Sequence, residues 1–194
     1  MEKKKRGPWG VVSSREVYDN RWISVTHHDV VTPSGGPGIY GTVHHKNLAI
    51  GIVPVDAELH TYLVGQYRFA LEAYSWEIPE GGGVHGVDPR ESAARELREE
   101  TGLSAARWQT LVECDLSNSV TDERAIAFLA WELTQGQSAP EPTEDITVRR
   151  LPLVDVFRMV EEGEIRDALS IITLQALRLL HLTNRLPLFG RGSA

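Results

Sequence analysis

The stretch WEIPEGGGVHGVDPRESAARELREETGL, residues 76–103, constrains the fold more than any other part of the chain. Its second half is punctuated as one short helix. Asp88 offers a side-chain cap, and Pro89 suits the first helical position, where its missing N–H is not needed. Glu91 stands where a capping box needs an acid. Gly102 supplies the left-handed residue that ends a helix. These signals predict a helix over 89–101, fixed at both ends.

At 100° per residue, Glu96, Glu99 and Glu100 share one side of that helix. Ala93, Ala94, Leu97 and Thr101 fill the adjoining side. One stripe can therefore pack on a sheet while its neighbour carries three carboxylates. Like charges three or four positions apart cost about 0.2–0.5 kcal/mol per pair. Arg95, one turn from both Glu91 and Glu99, offsets part of that. The glycines at 81–83 would let backbone approach a ligand closely. Clustered carboxylate oxygens are preferred ligands of Mg2+ and Mn2+. A divalent ion would relieve the repulsion and bridge to phosphate oxygens.

The rest of the chain alternates in the manner of strands. Residues 9–18 and 21–32 flank an Asp19-Asn20 turn signal, and TPSGGPG at 32–38 reads as a loop. IYGTVHH is a strand. LAIGIVPVD (48–56) and HTYLVGQYRF (60–69) are two strong strands, expected to pair, and a short strand then enters the glycine loop. Further strands fall near 106–115 and 124–134, a polar loop at 134–145, a strand at ITVRRLPL, and helices at VDVFRMVEEG and 165–183. Sequential strands mixed with few helices favour an α+β fold over a parallel doubly wound sheet.

The 76–103 stretch resembles the Nudix box. That pattern is Gly, five residues, Glu, seven residues, then Arg-Glu-aliphatic-any-Glu-Glu-any-Gly-aliphatic. Gly81 opens it, and Arg95, Glu96, Leu97, Glu99, Glu100, Gly102 and Leu103 match in register. One position departs: the first Glu of the pattern falls on Val87. VGQYRFAL with WEIPEGG, then TEDITV and EEGEIRDALSIITLQAL, resemble the branch that hydrolyses ADP-ribose and other nucleoside diphosphate sugars.

The resemblance implies a Nudix-like α/β/α sandwich with a mixed sheet over 46–194. Before it lies an N-terminal β-rich extension, 1–45, that serves as a dimerisation element in a homodimer. It implies Mg2+ (or Mn2+) held by Glu96, Glu99, Glu100 and the Glu80 backbone carbonyl, with Arg95 orienting the carboxylates. Arg68, Glu77 and Glu123 would contact a nucleotide-sugar substrate. Glu144 would serve as ligand or general base, with Glu141 and Asp145 as rivals and Glu99 also placed at the reacting centre. Alternatives are cleavage of GDP-mannose, dinucleoside polyphosphates or damaged nucleotides, or a non-catalytic nucleotide-sugar sensor.

Charge and cysteine usage narrow the remaining classes. A formal net charge of −7 argues against a broad nucleic-acid footprint, and Lys3-Lys4-Lys5-Arg6 reads as a solvated tail. Cys114 is the only cysteine, which rules out an internal disulfide and suits a reducing cytoplasm. No signal-peptide pattern is expected at the N-terminus. The apolar run 165–183 is broken by Arg166, Asp167, Gln175 and Arg178, so it reads as an amphipathic helix and not a membrane span. His27-His28 and His44-His45 read as polar strand residues.

Overall fold

The computed structural model describes residues 4–137 and 145–187. They form two compact units: one runs through Leu48 and takes in residues 115–124, and the other comprises Ala49–Cys114 and the chain from Ala125 onward.

The first unit is a four-stranded antiparallel sheet in the order β1 (Lys4–Arg6), β2 (Trp9–Asp19), β3 (Ile23–Val31), β4 (Pro37–His45). The β2–β3 turn closes because Asn20 Oδ1 accepts from the N–H groups of both Trp22 and Ile23 at 2.8 Å. Gly35, at φ +92°, turns the chain between β3 and β4. Segment 115–124 then docks on β4. Val43 N–H donates to Val120 O at 2.9 Å, and Tyr40 Oη–H to Ser119 O at 2.5 Å. Asp122 accepts from His45 N–H at 2.9 Å and lies 2.5 Å from His44 Nδ1. Both histidine pairs at 27–28 and 44–45 are thus strand residues, and His44 and His45 also fasten this turn. Val12, Val17, Tyr18, Trp22 and Ile39 are exposed.

In the second unit, β5 (Asn47–Pro54), β8 (Glu80–Val84), β9 (Leu103–Asp115) and β10 (Arg124–Gln135) form a mixed sheet in the order β8-β5-β10-β9. β5 and β10 run parallel, from Ala49 beside Ala125 to Pro54 beside Ala130. Ile50, Ile52 and Val53 on β5 are fully buried, the continuous apolar run expected of a strand covered on both faces. A second, antiparallel sheet has the order β11 (Thr147–Pro152), β6 (His60–Arg68), β7 (Ala73–Glu77). Helices α1 (Pro89–Thr101), α2 (Leu153–Glu161) and α3 (Ala168–Leu182) complete the α+β architecture. None of the described helices is long and apolar enough to cross a membrane.

Two expectations are corrected here. β5 and β6 do not pair as a hairpin but belong to different sheets, joined by a single bridge between Val55 and Thr61. Both edges of β5 are taken, by β8 and β10, so its neighbour in sequence must go elsewhere. The glycine run is strand β8 and not a loop, since pairing with β5 satisfies its backbone.

The two ends of α1 fall where its sequence places them. The Asp88 carboxylate accepts from Arg90 N–H at 2.9 Å, Pro89 opens the helix, and Gly102 closes it at φ +73° with its N–H on Arg98 O. The capping box expected of Glu91 does not close: its N–H donates to Asp88 O at 2.9 Å, and its side chain makes no bond to Asp88 among the described residues.

The β5–β6 turn is organised by Asp56. Its Oδ1 accepts from the N–H groups of Glu58 and His60 at 2.9 and 3.0 Å, and its Oδ2 from Arg150 Nε on β11 at 2.7 Å. Burial alone would raise the Asp56 pKa, but these donors outweigh it and hold the carboxyl below the usual range. A lowered acid pKa contributes stability above the unfolded value and loses it as pH falls through the folded one. Asp56→Ala should therefore destabilise the protein by about 1.5–3 kcal/mol at neutral pH. Urea melts should show that deficit shrinking as pH drops below the usual aspartate range.

Candidate active site

The site grows from the inner face of α1. Its buried residues are Ser92, Ala93, Glu96, Leu97, Glu100 and Thr101, so two glutamates sit among the groups that anchor the helix. α1 packs on β8 and β6. Glu100, only 2% exposed, receives the Glu80 N–H on its Oε2 at 3.0 Å. This places the main chain at Glu80, whose carbonyl is the expected metal ligand, directly against Glu100. Glu96 lies over Gly81, where an added Cβ would fall inside the Glu96 carboxylate. The first glycine of the box is therefore required by the close approach of that side chain, not by a positive φ.

Arg95 binds this arrangement together. Its Nη2 donates to Glu96 Oε1 at 2.6 Å and to Gly82 O at 2.9 Å, and its Nη1 to Glu99 Oε2 at 2.6 Å. Burial works against the Arg95 charge, but Glu96 and Glu99 outweigh it and raise its pKa further. The three box glutamates are thus drawn to one edge, two by Arg95 and one by the backbone of Glu80.

A second arginine lies on the other side of Glu80. Arg68, at the end of β6, donates from Nε to both oxygens of Glu77 at 3.0 Å, and from Nη2 to Glu77 Oε2 and to Glu80 Oε1, the latter at 2.8 Å. The Glu77 side chain is only 3% exposed, while that of Arg68 is 36% exposed. Glu77 thus meets Arg68 and not open solvent. Burial opposes the Arg68 charge as well, and Glu77, Glu80 and Asp167 more than compensate.

Glu80 is the electrostatic focus. Its desolvation, with Asp167 and Glu77 beside it and Glu100 near, pushes its carboxyl well above the usual range, against the pull of Arg68. Glu80 Oε2 is buried and has no hydrogen-bond partner among the described residues. Three carboxyl groups therefore act on one guanidinium, and Glu100 adds a fourth beside Glu80.

That surplus and the orphaned oxygen fit a hard divalent cation in charge and donor type. As they stand, no three acid, histidine or cysteine side chains among the described residues converge into a ready cage.

The other sequence-derived candidates fall as follows. Glu123 belongs to the first unit, where its Oε1 lies 3.3 Å from His45 Nδ1. Asp145 is exposed. Glu141 and Glu144 lie outside the described residues. Val87 is 41% exposed in the turn before α1, its N–H on Val84 O at 3.2 Å. Asp167 was not singled out by sequence. It caps α3, accepting from Ser170 N–H at 2.6 Å, and acts on Arg68 and Glu80. An aspartate just before an apolar helical run was the signal available.

Comparison with known proteins agrees with this geometry. The nucleoside diphosphate sugar hydrolase N-terminal domain matches residues 9–43, and the NUDIX domain matches residues 45–172. An ADP-ribose pyrophosphatase of Mycobacterium tuberculosis (strain ATCC 25618 / H37Rv) is 32% identical over 169 residues, covering 86% of this chain and 81% of that protein. An ADP-ribose pyrophosphatase of Bacillus subtilis (strain 168) is 31% identical over 170 residues, covering 87% and 91%. The crystal structure of an ADP compounds hydrolase superposes with a TM-score of 0.82 at 22% identity, covering 94% of this chain and all of that one, which is a likeness of fold. With its box carboxylates folded inward against the first box glycine, the chain belongs to the Nudix hydrolase family.

Proposed function

We propose that this chain hydrolyses the pyrophosphate bond of ADP-ribose or another nucleoside diphosphate sugar, giving a nucleoside monophosphate and a sugar phosphate. The observation that carries the reading is the burial of Glu96 and Glu100 against the Glu80–Gly81 backbone. A solvated acidic face would point the other way.

Nudix hydrolases generally require divalent cations. Here Glu96, Glu99, Glu100 and the Glu80 carbonyl would hold Mg2+ or Mn2+. Such an ion supplies Lewis-acid polarisation of a phosphoryl oxygen and lowers the pKa of bound water.

The chain's own groups do the rest. Arg95 keeps Glu96 and Glu99 on one side of the cleft. Arg68, exposed enough to be reached and held in a fixed plane by Glu77, takes a phosphate oxygen of the substrate. A carboxylate, Glu144 or the box residue Glu99, accepts the proton of the attacking water. One P–O bond forms to water as the bridging P–O bond breaks, and the proton ends on the departing phosphate.

Residues 1–45 are the dimerisation element of a homodimer in this reading. The exposed Val12, Val17, Tyr18, Trp22 and Ile39 leave that sheet with apolar surface to cover. Glu123, near this extension, meets the substrate. The protein works in the cytoplasm, as its single cysteine suggests.

Incubation with a panel of nucleoside diphosphate sugars and Mg2+ or Mn2+ should release nucleoside monophosphate. Failure to release monophosphate with any divalent ion would reject the reading, and calorimetric binding of ADP-ribose without turnover would favour a sensor, the role that Val87 in place of the box glutamate raises. Glu100→Gln should lower kcat by about a hundredfold or more, the upper end of what disturbing a metal's surroundings costs. Near-normal turnover would remove Glu100 from the site. Gly81→Ala should displace the Glu96 carboxylate and weaken Mn2+ binding by about 10–100-fold in calorimetry without substrate. Unchanged circular dichroism would locate that loss in the site and not in the fold.

A further inference from the structure

Arg68 presents five N–H donors in a rigid fork. The Nε–Nη2 edge is taken by the two oxygens of Glu77. Nη2 also donates to Glu80 Oε1 at 2.8 Å. Among the described residues nothing accepts from Nη1. The edge left to receive a phosphate in paired fashion is therefore Nη1–Nη2, and half of it is already held by Glu80.

We propose that the Glu80 side chain is a positioning residue that sets how Arg68 meets the substrate: while Glu80 holds Nη2, the guanidinium offers a single nitrogen, and when Glu80 lets go it offers two. This rests on the reading of Arg68 as a phosphate contact. The same residue thus serves twice, its carbonyl toward the cation and its carboxylate toward the arginine.

Two observations make the contact releasable. Glu77 alone anchors the guanidinium with both oxygens from a buried position, so Arg68 keeps its place without Glu80. The second oxygen of Glu80, Oε2, is committed to no described residue. The device penalises weak phosphate ligands, because only a ligand that outbids Glu80 gains the bidentate grip.

The test is a double-mutant cycle read in KM for ADP-ribose with Mg2+. Glu80→Asp keeps the charge and draws the oxygen back by one methylene. It should lower KM by about three- to tenfold, the effect of releasing one ordinary hydrogen bond, and move KM by a larger factor than kcat. In an Arg68→Ala background the same change should leave KM where Arg68→Ala puts it. Glu80→Gln, which keeps an acceptor oxygen on Nη2, should shift KM less than Glu80→Asp does.

An unchanged or raised KM in Glu80→Asp overturns the inference, as does an equal drop without Arg68, which would be a through-space effect on the substrate. Should Glu80→Asp fail to fold by circular dichroism, Glu80→Ser is read in the same cycle with the same two outcomes. If Arg68→Ala alone leaves KM unmoved, or no nucleotide sugar turns over, the functional reading fails and this inference falls with it. If Arg68→Ala raises KM but Glu80→Asp does not lower it, only this inference falls.

Discussion

The hydrogen bond from the Glu80 N–H to Glu100 Oε2 is the contact on which the site depends. It requires a carboxylate that is 2% exposed, on a helix face shared with Ser92, Ala93, Glu96, Leu97 and Thr101. Burying an ionised carboxylate is costly unless donors meet it. A backbone N–H is a donor that no mutation of Glu80 itself can remove, proline excepted. Helix α1 and strand β8 are thereby locked in one register, and Glu96 is delivered over Gly81. A side chain at 81 would push the Glu96 carboxylate aside.

Two arginines divide the remaining work. Arg95 lies on the same helix as its carboxylates. Its pair with Glu99 is an ordinary i, i+4 helix pair, while its reach to Gly82 O ties α1 to β8. Arg68 comes from β6, a strand of the other sheet, and gathers Glu77 and Glu80 from either side of Ile78-Pro79. The first arginine organises the helix side of the cleft and the second organises the strand side. Neither neutralises it: Glu77, Glu80 and Asp167 act on Arg68, Glu100 joins them beside Glu80, and the excess of negative charge is one that a fold selected for stability alone would avoid.

Local rules made α1 legible in the sequence, because caps, proline and glycine act within a few residues. The inward stripe of glutamates was legible as geometry, and the spacing from Gly81 to Leu103 as a family pattern. What escaped was decided by distant partners. β5 and β6 look like a hairpin from their own residues, yet β8 and β10 had already filled both edges of β5. Gly81, Gly82 and Gly83 look like a loop because glycine weakens strands, and pairing with β5 overrides that preference. His44 and His45 gave no sign that Asp122 and Glu123, more than seventy residues on, would meet them. Asp167 was visible as a helix cap, but its influence on Arg68 comes from the arrival of α3.

Residues 78–80 show how the fold converts these distant partners into precision. Ile78 N–H donates to Ser170 Oγ on α3 at 3.0 Å, Pro79 O accepts from Ile52 N–H on β5 at 2.8 Å, and Glu80 N–H donates to Glu100 on α1. Three consecutive residues are each tied to a different element. Pro79 adds a fixed φ and spends no N–H that would need a partner there. The segment that leads into the Glu80 carbonyl is therefore tied to three elements, none of them a loop. Groups meant to meet charge that develops during a reaction gain most when they need not reorganise, and backbone pinned by strand and helix partners reorganises least. The side chain of Glu80 is under the opposite regime, with one oxygen on a partly exposed arginine and the other uncommitted. A rigid carbonyl and a divided carboxylate on one residue separate the part of the site that must stay still from the part that has room to respond.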